Sequence, residues 1–188
     1  MIGSYDILED IVRNSFWSVV WSHKIQEKQS DIYAYEYKRM ETINIVAASL
    51  SSIGIITLIF TDPLWLKLIS ALISFATIFI SAYFKSFDLQ RLVILHKASA
   101  NKLIAVRDQF IILLAEIKLQ NDSVKNLFIK YKELVKRLDA IYLEAPSTTD
   151  KAVEMACNSL QVKKDNTATS DEIDSFLPLS LRKEKTNE

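Results

Sequence analysis

Two apolar runs separated by three residues constrain this chain more than any other feature. The first covers residues 43–60 and the second residues 64–84, with Thr61, Asp62 and Pro63 between them. Lys67 is the only charged residue in either run. As helices the runs measure roughly 27 and 31 Å, close to the ~30 Å hydrocarbon layer of a bilayer. Lys67 stands one turn into the second run, where its stem can carry the ammonium back to the interface. Asp62 and Pro63 can cap and start that helix, with Pro at its first position. Trp65 then falls at one interface, and Tyr83 with Phe84 at the other. A link this short makes the helices antiparallel neighbours, so both chain ends emerge on one side. The competing fold is a soluble bundle, which needs a larger shell to cover two such helices in succession.

Charge chooses the side. Lys24, Lys28, Lys38 and Arg39 precede the first run, and Lys85, Arg91, Lys97, Lys102 and Arg107 follow the second. By the positive-inside rule both termini face the cytoplasm. Over residues 1–20, Asp6, Glu9 and Asp10 stand where a secretory signal carries basic residues, so no such signal is expected.

The remainder is written for helices. Only two glycines and three prolines occur in 188 residues, which starves a β-fold of turns. We expect an all-α protein with a two-helix transmembrane hairpin continuous with a cytoplasmic bundle. Residues 1–42 form amphipathic and juxtamembrane helices, 43–84 the hairpin, 85–145 cytoplasmic helices, and 146–188 a flexible polar tail. Ile7, Leu8, Ile11, Val12, Phe16 and Val19 recur at helical spacing and make residues 4–28 amphipathic. Trp17 and Trp21 can rest on lipid headgroups or pack on other helices. Ser30 or Asp31 can cap a new helix that runs into the first span. Beyond the hairpin, Leu89, Leu92, Val93, Leu103, Val106, Phe110 and Leu113 stripe a helix over 85–120. Asp122 or Ser123 in "QNDSV" caps the next, which Pro146 ends. These faces must cover one another, giving an antiparallel bundle.

Two pieces of the tail stand out from its polar composition. Asp150 can cap a short helix through Val153, Ala156 and Leu160. Ile173, Phe176, Leu177, Leu179 and Leu181 lie among charges, as in a docking peptide that engages a partner or folds back on the bundle.

Little here points to chemistry. The formal net charge is zero, so no global field draws the chain to nucleic acid, and no direct nucleic-acid binding is expected. With Gly3 and Gly54 as the only glycines, no phosphate-cradling loop can be written. His23 and His96 have no Cys or carboxylate at zinc-motif spacing, and the single cysteine, Cys157, has no histidine near it in sequence. We expect neither enzyme activity nor a cofactor or metal.

The informative pattern lies inside the second span. Lys67, Ser70, Ser74, Thr77, Ser81 and Lys85 recur at helical spacing and fall within about 80° of one another, one polar stripe from interface to interface. Asn44, Ala47, Ser51 and Gly54 make a matching small or polar face on the first span. Such stripes let membrane helices pack closely, with hydroxyls satisfied on their own backbone. They can also line a water-filled path. Two helices cannot enclose a pore, so the path requires a homo-oligomer.

This layout resembles the SLATT domain, the two-helix membrane effector of prokaryotic conflict systems. The segments "PSTTDKAVEMACNSLQ" and "DEIDSFLPLSLR" resemble the carboxy-terminal signature of a SLATT subfamily associated with reverse transcriptases. The resemblance implies a pore-forming effector of the bacterial inner membrane. It would stay silent until a reverse transcriptase or a nucleotide-synthesising partner detects infection, then stop the infected cell. It implies no catalytic residues. The alternative from another class is a membrane-anchored helical adaptor or sensor without pore activity.

Overall fold

The structure, a computed structural model, describes residues 3–60, 63–165, 167–178 and 182. The corner residues Thr61 and Asp62, the terminal Leu179 and Leu181, and the side chains of Phe84 and Lys85 lie outside the described residues. Helices make up nearly all of what is described, and no strand occurs among those residues.

The first helix, α1 (Ser4–Phe60), runs for 57 residues without a break. The expected new start at Ser30 or Asp31 does not occur. Ser30 Oγ instead donates to the Val93 carbonyl at 3.2 Å, and the Asp31 carboxylate pairs with Lys28 at 3.3 Å. Neither side chain turns back to cap, and no proline interrupts the run. At 1.5 Å per residue Trp17 stands roughly 40 Å along the axis from Ile43. Trp17 and Trp21 pack on each other, ring centres 5.7 Å apart.

The second helix, α2 (Leu64–Phe87), returns antiparallel beside the end of α1. Pro63 stands just before its first residue, and the Pro63 carbonyl accepts the Leu66 and Lys67 amides at 3.1 and 3.4 Å. It thus takes the cap position, one residue earlier than expected. The long helix expected over 85–120 is broken at Asp88, whose backbone is left-handed at φ 32° and ψ 55°. Aspartate tolerates this conformation better than most side chains, and here its carboxylate also accepts the Arg91 amide at 3.1 Å. One residue therefore ends α2 and starts α3 (Leu89–Leu119).

The helix α4 (Val124–Glu144) follows a left-handed Gln120. Both expected capping residues act here. Ser123 Oγ accepts the Asn126 amide, while the Asp122 carboxylate takes the Ser123 amide and the Asn126 side chain. Ala145 is extended, as the residue before a proline prefers, and α4 stops there.

The core forms where α1, α3 and α4 meet. Leu8, Val12 and Val19 of α1 pack with Leu103, Phe110 and Ile117 of α3 and with Leu127, Leu134 and Leu138 of α4. Hydroxyls cross-brace it. Tyr5 donates to the Asp122 carbonyl, Ser15 bonds Tyr131, and Ser22 bonds Tyr142, each at 3.0 Å.

The tail divides in two. Residues 146–165 are not loose but lie on the bundle, through the short helix α5 (Asp150–Cys157) and a π turn over Asn158–Val162. Thr149, not Asp150, caps α5. Farther on, α6 (Ser170–Phe176) carries a reciprocal Thr169–Glu172 capping box and buries nothing.

Candidate functional site

The hairpin is sorted by side-chain size. On α1, the half-buried positions Asn44, Ala47, Ser51 and Gly54 make one narrow face. On α2, Ser70 is buried, and Ser74 and Thr77 are half-buried. The two faces meet most tightly at Gly54, where a β-carbon would fall 2.5 Å from Ser70 Oγ. A side chain there would require the Ser70 hydroxyl to turn aside. Large residues point the other way: Ile45, Leu50 and Ile53 on α1, and Leu68, Leu72, Phe75 and Phe79 on α2, are all about half exposed or more.

The middle of the stripe thus faces the small face of α1. Lys67 and Ser81 are exposed. Thr77 and Ser81 donate to the carbonyls of Ile73 and Thr77, both at 2.9 Å, as hydroxyls on an apolar helix must. Two oxygens in the seam lack such relief: Asn44 Oδ1 and Ser51 Oγ are buried without a hydrogen-bond partner. Asn44 also lines a cleft of about 440 Å³ at the end of the hairpin that joins the bundle, with Tyr37, Glu41, Ser81, Asp88 and Gln90.

Below the hairpin, α1 carries a polar layer that the sequence reading did not single out. Lys24, Gln26 and Gln29 are buried, as are His23 and Ser30. His96 of α3 reaches Gln26 Oε1 through Nδ1 at 2.6 Å and stacks on Tyr33, while Gln26 Nε2 donates to the Pro146 carbonyl at 3.1 Å. Gln29 Oε1 accepts both the amide and the hydroxyl of Thr149 at 2.8 Å. The Lys24 ammonium pairs with Glu27 at 3.1 Å and Asp165 at 3.7 Å. The available signal was the lapse of apolar residues at positions 23, 26 and 30, where α1's buried stripe should continue.

Burial holds the His23 and His96 imidazoles below their ordinary value of 6.5, with Glu27 opposing the shift at His23. Burial alone would raise the Glu27 carboxyl, but the Lys24 hydrogen bond and charge hold it below 4.5. Among the described residues no three His, Cys, Asp or Glu side chains gather to hold a metal. Cys157 is half-buried and donates to Gln161 Oε1 at 3.2 Å. In the terminal segment Ile173 and Phe176 are exposed, Phe176 at 91%, and Leu177 is half-buried.

These features define an all-helical protein in which α2, over Leu64–Tyr83, is long and apolar enough to cross a membrane and keeps its large side chains exposed. Residues 8–172 match the family described as SMODS and SLOG-associating 2TM effector domain family 4, and the chain belongs to that family. No curated protein and no solved structure matches it. Membership makes it a membrane protein of the effector class, associated by family description with SMODS and SLOG systems.

Proposed function

We propose that the protein is an inner-membrane effector that oligomerises through its cytoplasmic helices and opens an ion leak. The leak kills the infected cell or arrests its growth when a partner system triggers it. Both α1, over residues 43–60, and α2 cross the bilayer, and both termini are cytoplasmic. The partner is a nucleotide-synthesising component or a reverse transcriptase, as the tail motifs suggest.

The observation that carries this reading is the pair of orphaned oxygens in the seam, Asn44 Oδ1 and Ser51 Oγ. A buried polar atom without a partner costs about 1–3 kcal/mol; His23 Nδ1 and Gln29 Nε2 in the bundle share this state, but of the four only the two seam oxygens lie between apolar spans. Water entering between several hairpins would satisfy both. Ser70, Ser74 and Thr77 would then line the path, Ser81 and Lys85 its inner mouth, and Lys67 its outer mouth. The silent hairpin holds this surface against the small face of α1.

The test is induced expression with a voltage-sensitive dye, alone and beside the neighbouring genes. Wild type should depolarise cells when triggered, and a Ser74→Leu, Thr77→Leu variant that assembles normally should not. Unchanged leakage from that variant removes the stripe from the mechanism. Replacing both spans by an unrelated hairpin without loss of activity would instead establish the adaptor reading.

A further inference from the structure

We infer that residues 146–165 are an autoinhibitory strap, tying α1 to the end of α4 through the polar layer at Lys24, Gln26 and Gln29. The inference concerns the control of the effector proposed above, and rests on that reading only for its consequence.

The strap is fixed by contacts that water can replace. Its buried residues are Ala152, Ala156 and Ser159, each with a side chain of one or two heavy atoms. By contrast, the bundle beneath is closed by Leu, Val, Ile and Phe. Apolar area sets most of the cost of separation, so the strap leaves α1 far more readily than α3 or α4 does. What it uncovers are Gln26, Gln29 and Lys24, which water solvates well. An edge built to remain closed would match large apolar side chains on both of its faces.

The contacts are also placed to matter. Gln26 bonds the strap through the Pro146 carbonyl and α3 through His96, so one side chain joins three elements. Three residues on, Gln29 holds the first residue of the α5 cap twice over. At the far end Lys164 takes a left-handed turn, φ 53°, after which Asp165 reaches the buried Lys24 ammonium. The turn is closed by the Asp165 amide, which donates to the Ser159 carbonyl at 2.9 Å, and it aims the Asp165 carboxylate at Lys24. Everything gripped by the strap lies on α1, which continues unbroken to Phe60. Motion of α1 against the rest of the bundle therefore reaches the hairpin directly, and the strap, tied to α1 and continuous with α4, opposes it.

The test uses the full chain and its native thiol. Gln29→Leu keeps the volume but removes both bonds to Thr149. Maleimide labelling of the half-buried Cys157 in membranes should then rise by ~10-fold or more, for the loss of two hydrogen bonds. The same cells should stop growing without the neighbouring genes. In a second variant, Gln29→Cys with Thr149→Cys in a Cys157→Ser background, a short bis-maleimide joins strap to α1. The joined protein should ignore the trigger that arrests cells carrying the unjoined one. Normal growth with Cys157 exposed, labelling no faster than wild type, or full arrest by the joined protein would each overturn the strap. The voltage dye on the same cells reads the leak separately: arrest without depolarisation keeps the strap and rejects the leak.

Discussion

Adding a single methyl group at Gly54 would bring a carbon within 2.5 Å of the Ser70 hydroxyl oxygen. Ser70 can rotate, but the seam must then widen or lose its contact. Gly54→Val should cost ~1–3 kcal/mol, as overpacking does. Melting of the purified protein in detergent would show it, and Ser70→Ala should return part of the smaller loss caused by Gly54→Ala. Equal melting across the series would mean that the faces do not touch there. The buried imidazoles give a second residue-scale expectation. Folded His23 and His96 resist protonation more than their unfolded counterparts do, so above 6.5 they cost nothing. As pH falls through 6.5 the unfolded chain binds protons that the folded chain refuses, and stability drops. The melting temperature should therefore fall on moving from neutral pH to mildly acid pH, and a His23→Gln, His96→Gln variant should show a flatter slope. The spacing of the stripe was legible in the sequence because a helix has a fixed period. The pairing of Gly54 with Ser70 was not, since small faces on both helices fit in several registers and only three-dimensional packing selects one.

At the scale of elements, two breaks were misplaced for instructive reasons. Ser30 and Asp31 have the chemistry of a cap, yet Ser30 is spent on the α3 backbone and Asp31 on Lys28, so α1 continues. Asp88 lies in a stretch without glycine or proline, and nothing local announces its left-handed backbone. At Ser30 a tertiary contact overrides local preference. Asp88→Ala loses both the cap and the tolerance for this conformation, an expected cost of about 1–3 kcal/mol. Asp88→Gly loses only the cap and should melt higher than Asp88→Ala; the reverse order would show that the joint relaxes without strain. Continuity of α1 makes its own prediction at Tyr35, which is 68% exposed between bundle and span. Tyr35→Pro should cost ~3 kcal/mol or more of helix and uncouple trigger from membrane, whereas Tyr35→Ala should do neither. Wild-type triggering of depolarisation by Tyr35→Pro would exclude a stiff transmitting rod. The amphipathic faces of α3 and α4, by contrast, were readable at once, because the residues that repeat are those that meet.

For the whole molecule, the proposed topology is checked by chemical access. A cysteine replacing Leu64, 72% exposed beside the link, should react with an impermeant maleimide on intact spheroplasts in a Cys157→Ser background. Native Cys157 should react only after permeabilisation. Labelling of position 64 solely from within would invert the chain and end the model of two spans with inward termini. The all-helical fold class was legible because long apolar periodicity and missing turn residues dictate it. The polar layer under the strap was not, since buried glutamines look like surface residues until their partners, more than a hundred positions away, are brought beside them.

The two ends of the protomer differ in girth. In the proposed topology two rods occupy the bilayer, while the rest of α1, α3, α4 and the strap crowd together beneath it. Each helix is about 10 Å across, so the bundle would have nearly twice the cross-section of the part in lipid. Copies standing upright and shoulder to shoulder would collide below before they touched above. Any ring they form must lean like the staves of a tapered cask, and the angle of lean, more than affinity between spans, would set whether its narrow end closes.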